Sequence, residues 1–229
     1  PRFHITCITH RKEAIYPATI VGIPPMEDAW IGKATERIFL APMRTAIALE
    51  ILDMVMPSEG VFHNIVLVKI KKSYPGQGQK VMNALWGAGQ MMFTKTILIF
   101  DENIDLNNPL KHLGNLLNKI NPEQDLSIFQ GPLDVLDHAG NKPSFGGKLG
   151  IDLTSKFIDE PGYTSSLSDN EIPALEDVQN KLRSFNDIID FNYLINLGLP
   201  ILLLSVHKNQ KKQISSLFHE LCNNQFLVE

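Results

Sequence analysis

The sequence predicts an α/β fold with a parallel or mixed sheet. Three observations carry that prediction. Thr96 to Phe100 (TILIF) is a near-continuous apolar run, the pattern of a strand covered on both faces. Phe62 to Ile70 (FHNIVLVKI) is a second strand-like run. Between them, Gln79 to Met92 has helical spacing, with Val81, Met82, Leu85 and Trp86 on its buried side. Val61 to Gln130 thus alternates β-α-β-α-β, which favours right-handed crossovers in one sheet.

The elements follow in order. Phe3 to Thr9 (FHITCIT) is rich in β-branched and aromatic residues and predicts a strand. Ala18 to Val21 predicts a second, stopped by Gly22 and Pro24-Pro25. Glu27 and Asp28 suit a helix start, with Ile31, Ala34 or Thr35, and Ile38 on one face. Pro42 ends or kinks that helix, and Met43 to Ile51 predicts a further helical piece. Lys71 to Gly76 turns the chain. Asn108-Pro109 opens a helix striped by Leu110, Leu113, Leu117 and Ile120, and Asn121-Pro122 closes it. Leu126 to Phe129 is a strand, and Gly131 to Gly150 is loop-like. Ser165 to Asn170 is the best linker candidate. A helix at Leu175 to Ile189, a strand at Ile201 to Val206 and a helix at Gln210 to Cys222 complete the chain.

The totals narrow the function. The chain has 229 residues, 44% hydrophobic and 20% charged, an ordinary globular composition. A net charge of −4 and the lack of an arginine-rich run argue against a nucleic-acid partner. Cys7 and Cys222 are too few for a secreted scaffold and predict free, buried thiols in the cytoplasm. Leu199 to Val206 is too short to cross a bilayer, which takes about 20 residues.

Several stretches invite chemistry. Pro75 to Lys80 (PGQGQK) lies between a strand and a helix, a position that suits an anion, but it matches neither a P-loop nor a dinucleotide fingerprint. It reads as a flexible turn first and as the basis of a stand-alone nucleotide-binding protein last. Phe145 to Asp152 (FGGKLGID) has three glycines that permit close backbone approach. Lys148 is placed there to meet a phosphate or carboxylate, with Asp152 beside it; the alternative is a structural turn locked by a Lys148–Asp152 contact. Asp101, Glu102 and Asp105 follow a strand's C-terminal end, where Mg²⁺ or Mn²⁺ binds in some α/β sheets, though a solvated loop is the commoner outcome. His4, Cys7 and His10 lack a fourth ligand, and Cys7 points away from the two histidines on an extended strand, so no metal site is assigned. No catalytic set is visible.

Three ordered segments resemble the UbiD family of prenylated-flavin-dependent decarboxylases. They are THRKEAIYPATIVGIPPMEDA (Thr9 to Ala29), KIKKSYPGQGQKVMNALW (Lys69 to Trp86) and FGGKLGIDLTSK (Phe145 to Lys156). TKTILIFDENIDL also fits, and together they cover about Arg2 to Phe157. The resemblance implies three regions: residues 1–25 as the last strands of a flavin-binding split β-barrel, 26–60 as a connecting helical region, and 61–157 as the C-terminal α/β domain; residues 158–229 match no family segment and read from their own pattern as an α-β-α extension of that domain.

It also implies a chemistry: loss of CO₂ from an aromatic or unsaturated acid on prenylated FMN, with Mn or Mg, in ubiquinone or menaquinone biosynthesis. The family's Glu-Arg-Glu set and metal ligands precede the segment resembling this chain's start. No catalytic residue is therefore assigned here, and the chain alone is expected neither to bind flavin tightly nor to decarboxylate. The family places the equivalent of Val21 through Ile31 beside substrate and flavin, making Val21, Met26, Glu27 and Ile31 the expected pocket wall. Implied partners are the acid substrate, a flavin prenyltransferase that supplies the cofactor, and further copies of the chain, with a prenylated substrate as the link to a membrane surface. The competing expectation is a non-catalytic α/β oligomerisation or binding module.

Overall fold

A computed structural model describes residues 2–18, 22–23, 25–117, 120–140, 142–163, 174–194 and 201–223, with side chains to Leu221. The predicted Ser165–Asn170 linker and most of the Ala18–Val21 strand lie outside the described residues.

A five-stranded mixed sheet organises the chain, in the order β1 (Ile51–Val55), β2 (Ile65–Ile70), β3 (Thr96–Asp101), β5 (Phe145–Asp152), β4 (Leu126–Pro132). The three central strands are parallel, and β1 and β4 run antiparallel at the two edges. Alternation along the central strands makes two cores. Val66, Val68, Ile97 and Ile99 pack against α2 (Gln77–Trp86) through Val81, Met82, Leu85 and Trp86. Leu67 and Phe100 face the other way, onto Leu113, Leu116 and Leu117 of the α3 segment (Leu110–Leu117) and onto Ile104 and Leu106. The apolar runs of β2 and β3 are therefore covered on both faces, as their sequence predicts.

Beyond the sheet, α5 (Leu175–Leu182) and α6 (Gln213–Asn223) flank a two-stranded antiparallel sheet of β6 (Ile188–Tyr193) and β7 (Leu202–Val206). Val178, Leu182, Phe185, Leu217 and Leu221 make its separate core. The expected helix to Ile189 is cut short, because Ile188–Tyr193 is a strand paired with Leu202–Val206. The region is thus α-β-β-α, and β7 pairs with β6 instead of joining the main sheet.

Other corrections concern the edges. Met43 to Ile51 is not one helix: a π-helical turn at Met43–Ile47 continues α1 (Glu27–Pro42), and Ile51 begins edge strand β1. Gly131 to Gly150 is loop only in its middle, since β4 and β5 pair from Leu126↔Ile151 out to Pro132↔Phe145. Asn121 caps α4 (Pro122–Asp125), accepting the Glu123 N–H at 3.0 Å, while residues 118–119, where α3 would be closed, lie outside the described residues. Residues 2–11 take no strand, and Phe3, Ile5 and Ile8 are exposed. A strand needs a partner for its N–H and C=O groups, and neither sheet recruits this segment. Cys7 is likewise exposed instead of buried, and the Cys222 side chain lies outside those described. Among the described residues, no helix is long and apolar enough to cross a membrane.

Candidate functional site: a filled charge network and an outward-facing helix

The C-terminal ends of β2, β3 and β5 are where an open α/β sheet receives ligands. Here the chain fills that place itself. Lys72, two residues past β2, donates to both carboxylate oxygens of Glu160, at 2.6 and 2.8 Å, to Thr154 Oγ1 at 3.0 Å and to the Ser155 carbonyl at 2.9 Å. Its ammonium also lies 5.5 Å from the centre of the Phe157 ring. Glu160 accepts two further bonds, from the Gly76 and Phe157 N–H groups at 2.9 and 3.0 Å. Burial works to raise the Glu160 carboxyl, but those N–H groups and the Lys72 ammonium outweigh it and hold it below the usual carboxylate range.

This answers the PGQGQK question. Gly76 adopts φ +74°, a left-handed turn that suits glycine, and delivers its N–H at the start of α2 to Glu160. The anion at that helix start is the chain's own carboxylate, 84 positions downstream.

Asp152 joins the same network. It accepts the Thr154 N–H and hydroxyl at 3.0 and 2.6 Å, and Lys156 lies 3.5 Å from its other oxygen. Lys156 also pairs with Asp125 at 2.7 Å. Burial works to lower the Lys156 ammonium, but Asp125 and Asp152 more than compensate and raise it.

Lys148 belongs elsewhere. It shares the α2-facing side of β5 with Asp152, yet its ammonium donates to the Met92 and Thr94 carbonyls at 2.6 and 2.7 Å. The turn locked by a Lys148–Asp152 contact is therefore not what forms: the segment is a strand, and the two side chains serve different partners. Burial, with a smaller push from Lys95, lowers the Lys148 ammonium to about 8. Lys95 itself pairs with Asp137 at 2.7 Å. The glycines of FGGKLGID make room for side chains. A Cβ at Gly150 would overlap Met82 and Trp86, and one at Gly146 would reach Leu133 at 2.7 Å.

The acidic loop after β3 is also engaged internally. Asp101 accepts the Ser155 N–H and hydroxyl at 2.8 and 2.6 Å, and Asp105 accepts the Asn107 N–H at 3.0 Å. Among the described residues no three His, Cys, Asp or Glu side chains cluster as a metal site, so the residues present do not fit a metal ion by themselves.

Helix α1 carries the expected pocket wall. Its inward face carries Gly32 and Glu36, with Leu40 packed on the core near its end. Gly32 packs so closely on Phe62 that a Cβ would overlap it, and Glu36 is fully buried. Glu36 accepts the Met56 N–H at 2.7 Å and the Arg37 Nε–H at 2.8 Å, and pairs with Lys33 at 2.8 Å. Arg37 reaches Asp53 at 2.7 Å and the Met54 carbonyl, fastening α1 to β1. The apolar stripe therefore points outward: Trp30 is 75% exposed, Ile31 59% and Ile38 68%. Ile31 and Ile38 share one face, as their spacing predicts, and that face is turned away from this chain's core. Met26 and Glu27, at the helix start, are half-buried, and Val21 lies outside the described residues.

The mixed sheet with a helix on either face and two antiparallel edges has a counterpart among solved structures. Vanillic acid decarboxylase from Sedimentibacter hydroxybenzoicus, in closed form, superposes over 77% of this chain and 37% of that chain, with TM-score 0.62 and 24% identity. Its open form gives TM-score 0.58 over 77% of this chain and 38% of that chain, also at 24% identity. The likeness is one of fold. The family is set by sequence: the 3-octaprenyl-4-hydroxybenzoate carboxy-lyase C-terminal domain matches residues 29–153, and the chain belongs to that family, UbiD.

An uncharacterized protein of Archaeoglobus fulgidus is 49% identical over 164 residues, covering 71% of this chain and 34% of that protein. One from Helicobacter pylori is 39% identical over 215 residues, covering 93% of this chain and 34% of that protein, and so extends into the α5–α6 region. The chain spans about a third of the length of these relatives.

Proposed function

We propose that this chain is the C-terminal part of a decarboxylase that removes CO₂ from an aromatic or unsaturated acid, in the assembly of ubiquinone or menaquinone. The family's own description, a 3-octaprenyl-4-hydroxybenzoate carboxy-lyase, and the vanillic acid decarboxylase of similar fold both point to an aromatic acid. The observation that carries the reading is the outward-facing side of helix α1. It turns Trp30, Ile31 and Ile38 away from this chain's core, and exposed apolar patches of that kind mark surfaces that another body covers. The relatives are about three times as long, so the covering body is the rest of such a protein.

In this reading Val21, Met26, Glu27 and Ile31 form one wall of the reaction pocket. The apolar side chains exclude water beside the departing carboxylate and so lower the barrier to its loss. Glu27 is the titratable group on that wall. The reactive Glu-Arg-Glu set and the Mn or Mg ligands lie in the remaining part of the protein. Prenylated FMN, when bound, supplies the adduct-forming chemistry. This chain offers one wall of the site to it, and the isolated chain is inactive. A flavin prenyltransferase provides the cofactor, the assembled protein is a cytoplasmic homo-oligomer, and its substrate carries the prenyl tail that brings it to a membrane.

Lys148 and Asp152 act on this reading from within the domain, as the partners of carbonyls and of Thr154 and Lys156. A charge placed at the exposed Ile31 tests the wall. In the longer protein, Ile31→Asp is expected to abolish turnover while leaving the chain's own unfolding unchanged. Retained turnover would remove Ile31 from the pocket.

A further inference from the structure

We infer that the start of α6 is a docking surface for an anionic lipid bilayer. From Phe191 to His219 the sequence carries no Asp or Glu, yet it holds Lys208, Lys211 and Lys212, in a chain whose net charge is −4. All three lysines are exposed, and among the described residues none pairs with an acid.

Their loop is held in place. The buried Gln213 side chain accepts the Asn209 N–H at 2.7 Å and the Gln210 N–H at 3.3 Å, and donates to the His207 carbonyl at 3.0 Å. The Lys212 carbonyl accepts the Ser216 N–H at 3.0 Å, and Lys212 itself sits at φ +66°, where a side chain is strained. Lysines at a helix N-terminus oppose the helix dipole. The arrangement therefore costs α6 stability and gathers positive charge at one point.

Apolar side chains sit beside that charge. Ile214 and Phe218, one turn apart, are 46% and 57% exposed on the flank of the stripe that buries Leu217 and Leu221. Glu220 falls on the opposite flank of the helix. Lysines bordering exposed Ile and Phe suit an interface of phosphate headgroups and acyl chains. Charge complementarity selects this occupant: a second copy docking through the same face would set lysine against lysine. The patch would dock whether or not the assembled protein decarboxylates.

Flotation of the full chain with vesicles tests the inference. It is expected to float with phosphatidylcholine vesicles containing about one third phosphatidylglycerol and not with phosphatidylcholine alone. The variant Lys208→Glu/Lys211→Glu/Lys212→Glu is expected to partition roughly a hundredfold more weakly. Ile214→Ser/Phe218→Ser is expected to partition roughly tenfold more weakly. All five side chains are exposed, and unchanged circular dichroism will show that the variants fold. Equal flotation with neutral vesicles, no flotation with either, or a charge-reversed variant that floats like the parent would overturn the inference. So would binding of a single-stranded oligonucleotide without any binding of vesicles.

Discussion

Removing one partner of the buried Lys72–Glu160 pair probes the network that ties the strand ends together. The two side chains are each 4% exposed and 2.6 Å apart. Lys72→Met leaves the Glu160 carboxylate buried with only the Gly76 and Phe157 N–H groups as donors. Breaking such a pair from one side costs about 3–5 kcal/mol. With a urea slope of about 2 kcal/mol per M, the midpoint falls by roughly 2 M. Trp86, buried beside β5, reports the transition by its fluorescence.

The double variant Lys72→Met/Glu160→Gln should lose less than the two single variants summed, because the orphaned charge is gone. The cost should also depend on pH. The Glu160 carboxyl is lowered in the folded chain, so its contribution is present above the ordinary carboxyl value and is lost as the pH falls through the folded one. The gap between parent and Lys72→Met therefore narrows in acid. A midpoint shift for Lys72→Met below about 0.3 M, or strictly additive single variants, would refute a strongly coupled buried pair.

Other consequences are simpler to state. Gly150→Ala forces a methyl into Met82 and Trp86 and should destabilise the domain by about 1–3 kcal/mol, read as a drop in thermal midpoint. The Lys148 ammonium is lowered to about 8 from 10.5, so between those values the unfolded chain binds more protons and stability rises with pH. Lys148→Met should abolish that rise, and urea midpoints measured across this window check it; equal slopes in parent and variant would contradict it. Trp30→Ser and Ile38→Ser should shift the stability of this chain by less than about 0.5 kcal/mol, since both side chains face solvent.

How much of this was legible in the sequence depends on burial. Strands β2 and β3 announce themselves because both faces are apolar, and α2 because its stripe is unbroken. Strand β1 did not, because Ile51 to Val55 follows a helical stretch without a break and carries Asp53 at a bulged edge position. Strand β5 read as loop because of its glycines. Their purpose, space for Met82, Trp86 and Leu133, is set by residues far away in sequence. Glu160 went unnoticed as the anion at the start of α2 because nothing local links it to Gly76. Periodicity found the apolar stripe of α1 but gave it no direction; the buried polar attachment of Glu36 and Arg37 to β1 is what turns it outward. The expected helix took in Ile188 and Ile189, the first two residues of β6, and the rest of that strand went unassigned because Asp190 and Asn192 interrupt its apolar run until β7 pairs with it.

On the function proposed above, this chain walls and supports a CO₂-releasing centre whose reactive groups lie elsewhere in a longer protein. The direct measurement is release of labelled CO₂ from a carboxyl-labelled aromatic acid with prenylated FMN and Mn²⁺, comparing this chain with a protein extended to the length of its relatives. The account predicts release from the extended protein and none from this chain. Release from this chain alone would contradict it.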